Sequence, residues 1–134
     1  MEDGVESWNK WRVENPNIVP QLNNVNFFGV NLKDVLLYDA NLNATVLSKT
    51  NLYRADLSGA DLSGAYLSCV DLRQAKLDGI RNWKGIGCLM YANIFGVRDA
   101  PDGFFEWAIE MKGAMASEST EEESMDFALP GNLE

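Results

Sequence analysis

Every fifth residue from position 22 to position 77 is Leu or Phe: Leu22, Phe27, Leu32, Leu37, Leu42, Leu47, Leu52, Leu57, Leu62, Leu67, Leu72 and Leu77. A period of five fits neither a helix at 3.6 residues per turn nor a flat strand at two, and it excludes a heptad seam. Two residues before each centre stands a second column of small or medium residues, from Pro20, Val25 and Val30 through Thr45 and Thr50 to Val70 and Ala75. The position between the columns is often Asn or Asp, as at Asn26, Asn31, Asn41, Asn51, Asp56, Asp61 and Asp71. Such a backbone has to turn once per five residues, burying one small and one large side chain each time. A single unit cannot cover its own apolar face, so the units must wind and stack as a solenoid.

The unit is plainest in Ala55-Asp-Leu-Ser-Gly59 and Ala60-Asp-Leu-Ser-Gly64. It resembles the repeat of the pentapeptide-repeat family. That resemblance implies an all-β solenoid, a right-handed quadrilateral β-helix with four pentads per coil. Residues 20–79 then form three coils, with interior ladders in steps of 20 such as Leu32/Leu52/Leu72. Asn41 is expected to stack on Asp61, and the Asn and Asp side chains to satisfy backbone groups at turns. After Gly79 the phase breaks. Asn82 stands where Leu is due, and Ala92-Asn-Ile-Phe-Gly96 reads as one more pentad shifted by two residues. A partial fourth coil with an insertion around Trp83–Cys88 follows, giving three to four coils in all.

An open β-helix needs covers at its ends. Val5, Trp8 and Trp11 fall at helical spacing and Asn15-Pro16 discourages continuation, which predicts a helix over 4–14 within an N-terminal cap of residues 1–19. The repeat body runs over 20–98, regular to 79 and irregular from 80. A C-terminal helix is predicted over 99–113, with Asp99 or Asp102 as its cap and Lys112 and Gly113 at its far end. Residues 114–134 hold six acids and no Lys or Arg, the composition of a disordered acidic tail. Within it, Met125, Phe127 and Leu129 offer a short anchor for a partner or for the body.

The chain has no His, so Ser-His-Asp, Cys-His and His-based metal sites cannot be built within it. Cys69 and Cys88 do not form a CxxC and read as reduced thiols. With an acidic, non-apolar Met1–Glu6 and no long apolar run, this gives a cytoplasmic expectation. Phosphate-loop, dinucleotide and nucleophile-elbow motifs are missing. A leucine-filled interior leaves no pocket, so no catalytic, cofactor-binding or metal-binding residues are expected and the chain is not read as an enzyme.

The net charge of −9 disfavours nucleic acid and anionic membrane as partners. Its distribution is uneven: residues 1–15 carry four acids and two bases, whereas 16–113 carry ten acids against nine bases. The body is therefore nearly neutral. This counts against the alternative that the resemblance also implies, a DNA-mimicking protector or inhibitor of DNA gyrase, for which three to four coils are also short.

Outward positions sort by face. Lys33, Tyr53 and Arg73 share one column with Arg54 beside it, and a coil spacing of about 4.8 Å allows cation–π contacts and a seat for an acidic peptide. Phe28 and Tyr66 place apolar groups on an adjacent face, and Leu36 and Tyr38 on another. These groups either meet a partner or are exposed incidentally, and Phe28, Leu36 and Tyr38 can instead lie under the N-terminal segment. The expectation is a non-catalytic protein–protein interaction or regulatory module, a monomer or weak homo-oligomer, with an unidentified protein partner and neither nucleic acid nor membrane.

Overall fold

Each pentad makes one corner and one rung. The computed structural model describes residues 2–118. At every corner the centre's carbonyl accepts from the N–H three residues on, as from Ala55 N to Leu52 O at 2.9 Å and from Ala60 N to Leu57 O at 3.0 Å. The third residue of the turn takes a positive φ, between 57° and 70° from Asn24 to Gly79, the pattern of a type II turn. Asn and Asp serve the corner from the preceding rung: Asn51 Oδ1 accepts from Tyr53 N at 2.9 Å and Asp71 Oδ1 from Arg73 N at 3.0 Å.

Rungs stack in parallel at a spacing of 20 residues, so Gln21, Asn41, Asp61 and Arg81 form one ladder with Asn41 on Asp61 as expected. Leu42 N donates to Asp61 O and Asp61 N to Ala40 O, both at 3.0 Å. Each rung pairs through a single bridging residue, so four short faces close the coil where a longer-stranded fold would have extended sheets. From Tyr66 on Cys88 the spacing becomes 22, and it stays 22 for Asp71 on Asn93 and Lys76 on Arg98. The two extra residues are absorbed at one corner by left-handed Asn82 and a 3-10 turn at Trp83–Gly85, which sends Ile86 into the core. The insertion is thus a corner, and it accounts for the two-residue phase shift.

The central column from Leu32 to Leu77 is at most 2% exposed. Thr45 and Thr50 are fully buried in the small column, and their hydroxyls donate to Leu22 O at 2.9 Å and Phe27 O at 2.8 Å. Burial of a hydroxyl is tolerated only with such a partner. Thr50→Val keeps the shape and removes the donor. It is expected to cost about 1 kcal/mol, read as a lower urea midpoint at unchanged slope.

Helix α1, Glu2–Glu14, lies over the first coil and begins before the predicted residue 4. Its side chains replace the hydrogen bonds of a missing coil. In the ladder, Asp56 N donates to Val35 O, and Asp56 O and Ser58 O accept from Leu37 N and Asp39 N. One coil earlier those roles fall to helix side chains. Leu36 N donates to Asn9 Oδ1 at 2.9 Å, Leu36 O accepts from Trp8 Nε1 at 2.8 Å, and Tyr38 O accepts from Arg12 Nη2 at 2.6 Å. Trp8 and Val5 pack on the core, whereas Trp11 is left 37% exposed with its ring 5.4 Å from that of Trp8. Beneath Trp8 an apolar hollow remains, lined by Leu22, Phe27, Leu32, Val35 and Leu37, so the expectation of a pocket-free interior fails at this end. A helix crossing a square coil mouth cannot fill it as a further leucine rung would.

Helix α2 spans Phe104–Lys112, shorter than the predicted 99–113. Its N-cap is Gly103 at φ 85° with no side-chain cap, so neither Asp99 nor Asp102 plays that part, while Gly113 in the left-handed region closes the C-terminus as expected. Phe104 and Ala108 are buried, and the rings of Trp83, Phe104 and Trp107 meet at 5.2–6.1 Å over the last coil. The segment after α2 returns to the body. Ala114 is buried, and Met115 bridges to Asn93, its N–H on Ala92 O and its carbonyl taking Ile94 N, both at 2.8 Å. The acidic tail therefore does not begin at Ala114, because Met115 continues the Asn31/Asn51/Asp71/Asn93 ladder. Residues 119–134 of that tail, with Met125, Phe127 and Leu129, lie outside the described residues.

Candidate functional site

The rung–corner geometry dictates which side chains gather on a face. On the face built from rungs 31–33, 51–53 and 71–73, the outward column holds Lys33, Tyr53 and Arg73 on successive coils, and Arg54 stands at the adjoining corner. All three cations surround one ring: Lys33 Nζ lies 5.6 Å, Arg54 Cζ 5.5 Å and Arg73 Cζ 5.2 Å from the Tyr53 centroid. At a solvated surface such contacts are individually weak. Tyr53 thus stands among three cations, each within 5.6 Å of its ring centroid.

Two of the three are held by carboxylates. Arg54 makes a bidentate pair with Asp34 one coil away, Nε to Oδ1 at 3.0 Å and Nη2 to Oδ2 at 3.2 Å. Arg73 pairs with Asp71 on its own rung at 2.9 and 2.7 Å. The hydrogen bonds to Asp34 and Asp71 push the two guanidinium pKa values up, so both stay charged. Lys33 is exposed and is in no ion pair among the described residues. Lys33, Asn51, Tyr53, Asp71 and Arg73 line a shallow groove. It meets at Lys33 a second groove lined by Val5, Glu6, Asn9, Asn31 and Asp34, along the edge of α1. The surface can accept a carboxylate-bearing segment laid along the coil axis, with cations for the charge and an aromatic face for the stem.

The other predicted surface residues divide. Phe28 and Tyr66 are open, at 57% and 49% exposure. They stand in different columns: Tyr66 stacks on Val46 and Asn26, whereas the column of Phe28 continues through Ser48 and Ser68, bonded hydroxyl to hydroxyl at 3.0 Å. Leu36 and Tyr38 drop out of the candidate surface. The backbone of Leu36 is bonded to Trp8 and Asn9, and the Tyr38 hydroxyl donates to Arg12 O at 2.9 Å while the Arg12 guanidinium covers its ring at 3.8 Å.

Sequence reasoning missed three residues. Phe95 continues the Lys33/Tyr53/Arg73 column, and half-exposed Met90 continues that of Phe28, both displaced by the two-residue insertion. Counting 22 instead of 20 after the phase break places them. Arg12, fully buried, was hidden because a lone Arg on an amphipathic helix carries no signal of burial. Among the described residues no group of three or more Cys, Asp or Glu is placed to hold a metal ion, and no helix is long and apolar enough to cross a membrane.

Comparison with known proteins bears on the repeat. A model of pentapeptide repeats in eight copies matches residues 21–64 and 47–81. No curated protein matches. Among solved structures, the pentapeptide repeat protein Rfr23 of the cyanobacterium Cyanothece 51142 is 29% identical at a TM-score of 0.46, over 75% of this chain and 58% of that one. HetL, a pentapeptide repeat protein involved in heterocyst differentiation regulation from the cyanobacterium Nostoc, is 27% identical at 0.43, over 75% and 38%. A pentapeptide repeat protein of the Arabidopsis thaliana thylakoid lumen is 20% identical at 0.41, over 82% and 86%. The chain thus spans little more than half the length of the first and well under half of the second.

Proposed function

The chain belongs to the pentapeptide-repeat family by its repeats over residues 21–81, and from that membership we propose that it works without catalysis, as a protein-interaction module. Its contact surface is the Lys33/Tyr53/Arg54/Arg73 face and its partner is a protein presenting an acidic segment. The observation that carries this reading is the convergence of three cations within 5.6 Å of the Tyr53 ring on a nearly neutral body. A solubilising ladder needs charges spread over the surface, whereas a recognition site needs them focused. Family membership alone does not supply a role, since one fold serves many.

The test is affinity capture from the native cell with wild-type chain and with Lys33→Glu/Arg54→Glu/Arg73→Glu. The charge-reversed chain is expected to lose its captured protein, and Lys33→Glu/Arg54→Glu, which spares the largely buried Arg73–Asp71 pair, is expected to weaken capture while its thermal midpoint moves little, because exposed ion pairs contribute little to stability. Capture that survives this change and is lost with Phe28→Ser/Tyr66→Ser moves the surface to the adjacent face. Gyrase protection by DNA mimicry requires carboxylates where this face presents cations. A supercoiling assay with a quinolone present is expected to show neither inhibition nor rescue at micromolar protein.

A further inference from the structure

We propose that the hollow under Trp8 is a binding site for a small uncharged apolar molecule, a single aromatic ring or a hydrocarbon of similar bulk. The site is separate from the cation face and does not rest on the reading of that face. Its volume is about 210 Å³ and every residue around it is apolar: Trp8 above, Leu22, Phe27, Leu32 and Leu37 as the four centres of the first coil, and Val35 from the small column. Water finds no partner against such walls, and dry apolar cavities of about 150 Å³ already take a guest the size of benzene. The Trp8 indole N–H is engaged by Leu36 O at 2.8 Å, so it is not offered to a polar guest. Two of the six side chains, Trp8 and Phe27, are aromatic, which favours a ring among guests of that bulk.

The way α1 crosses the coil mouth decides the kind of guest. Its side chains bond the first coil only along one edge: Asn9 Nδ2 donates to Asp34 O at 3.0 Å, Asn9 and Trp8 take the N–H and the carbonyl of Leu36, and Arg12 takes Tyr38 O. A further coil, from a second copy or from another protein, would need all four upper edges, and this one is already bonded. A free molecule needs none of them. Among the described residues no α1 side chain is hydrogen-bonded to residues 21–23 or 26–28, and Leu22 and Phe27 are half-buried where Leu32 and Leu37 are 2% exposed. The hollow therefore opens beside Leu22 and Phe27. In the coils below, every centre from Leu42 to Leu77 is at most 2% exposed, so the same kind of guest has no place further down the shaft.

Methyl chemical shifts of the full chain, titrated with benzene, test this. Saturable shifts are expected at Leu22, Leu32, Val35 and Leu37, with Leu52, Leu72 and Leu77 unmoved. Benzoate at the same concentrations is expected to leave the first four unmoved, because these walls offer its charge no partner. Leu22→Phe places a larger side chain, one the repeat already accepts at Phe27, at the open end of the hollow. It is expected to weaken benzene about tenfold or more, with the methyl shifts of Leu52 showing that the shaft is intact. Shifts centred on Ile86, Leu89 and Ile109 at the other end overturn the site, and so do benzoate moving the same four residues, benzene binding Leu22→Phe as tightly as wild type, or no shift up to the solubility limit of benzene. If Leu22→Phe does not fold, the wild-type shift map and the benzoate comparison decide alone.

Discussion

Arg12→Ala is expected to lower the stability of the chain by about 3 kcal/mol, the larger part of it by detaching α1 from the first coil. Arg12 is fully buried and is held by no carboxylate among the described residues. Its charge is met by Ile18 O and Tyr38 O, each at 2.6 Å, and by the Tyr38 ring at 3.8 Å, while its Nε has no partner among the described residues. Truncation leaves two carbonyls without these donors and a void where the guanidinium lay. Arg12→Lys is expected to recover less than half of the loss, since a single ammonium cannot reproduce the planar fork that spans the two carbonyls. Urea unfolding gives the magnitude. Amide exchange at Leu36, whose N–H is capped by Asn9, reports whether α1 has lifted while the Leu52 amide stays protected.

Leu52→Ala is expected to cost about 3–5 kcal/mol, the upper part of the range for a buried leucine. Leu52 is fully buried between Leu32 and Leu72, both 2% exposed. The walls around it cannot collapse inward, because Leu52 N on Asp71 O at 2.8 Å and Asn51 N on Val30 O at 3.0 Å fix the spacing of the coils. Leu22→Ala, at the partly open end of the stack, is expected to cost about a third as much. Equal losses at the two positions in urea titrations would show that packing between coils does not set the stability of the solenoid.

The shaft was legible because its cause is local and repeated: each five-residue unit carries its own small residue, its large residue and its turn. Thr45 and Thr50 could be placed in the buried column by register alone, although only the structure shows which carbonyls satisfy them. The ends were legible only in outline. Leu36 and Tyr38 occupy outward positions of the repeat, and nothing in the repeat says that α1 lies across them. Their partial cover depends on Trp8, Asn9 and Arg12 imitating a missing coil, a contact across more than 20 residues. Of the candidate face, Lys33, Tyr53, Arg54 and Arg73 followed from register. The pairing of Arg54 with Asp34 and the delivery of Glu118 to Arg73 did not, since both depend on side-chain reach and on the return of the chain after α2.

The measurement that bears most directly on the acid-binding face is an amide chemical-shift titration of the full chain with hexaglutamate at low ionic strength. The predicted result is a saturable set of shifts confined to Lys33, Asn51, Tyr53, Arg54 and Arg73 and to the Ser117–Glu118 segment, reversed by salt as screened charges require. Shifts centred instead on Phe28, Tyr66 and Met90, or none at millimolar peptide, would contradict the assignment of this face.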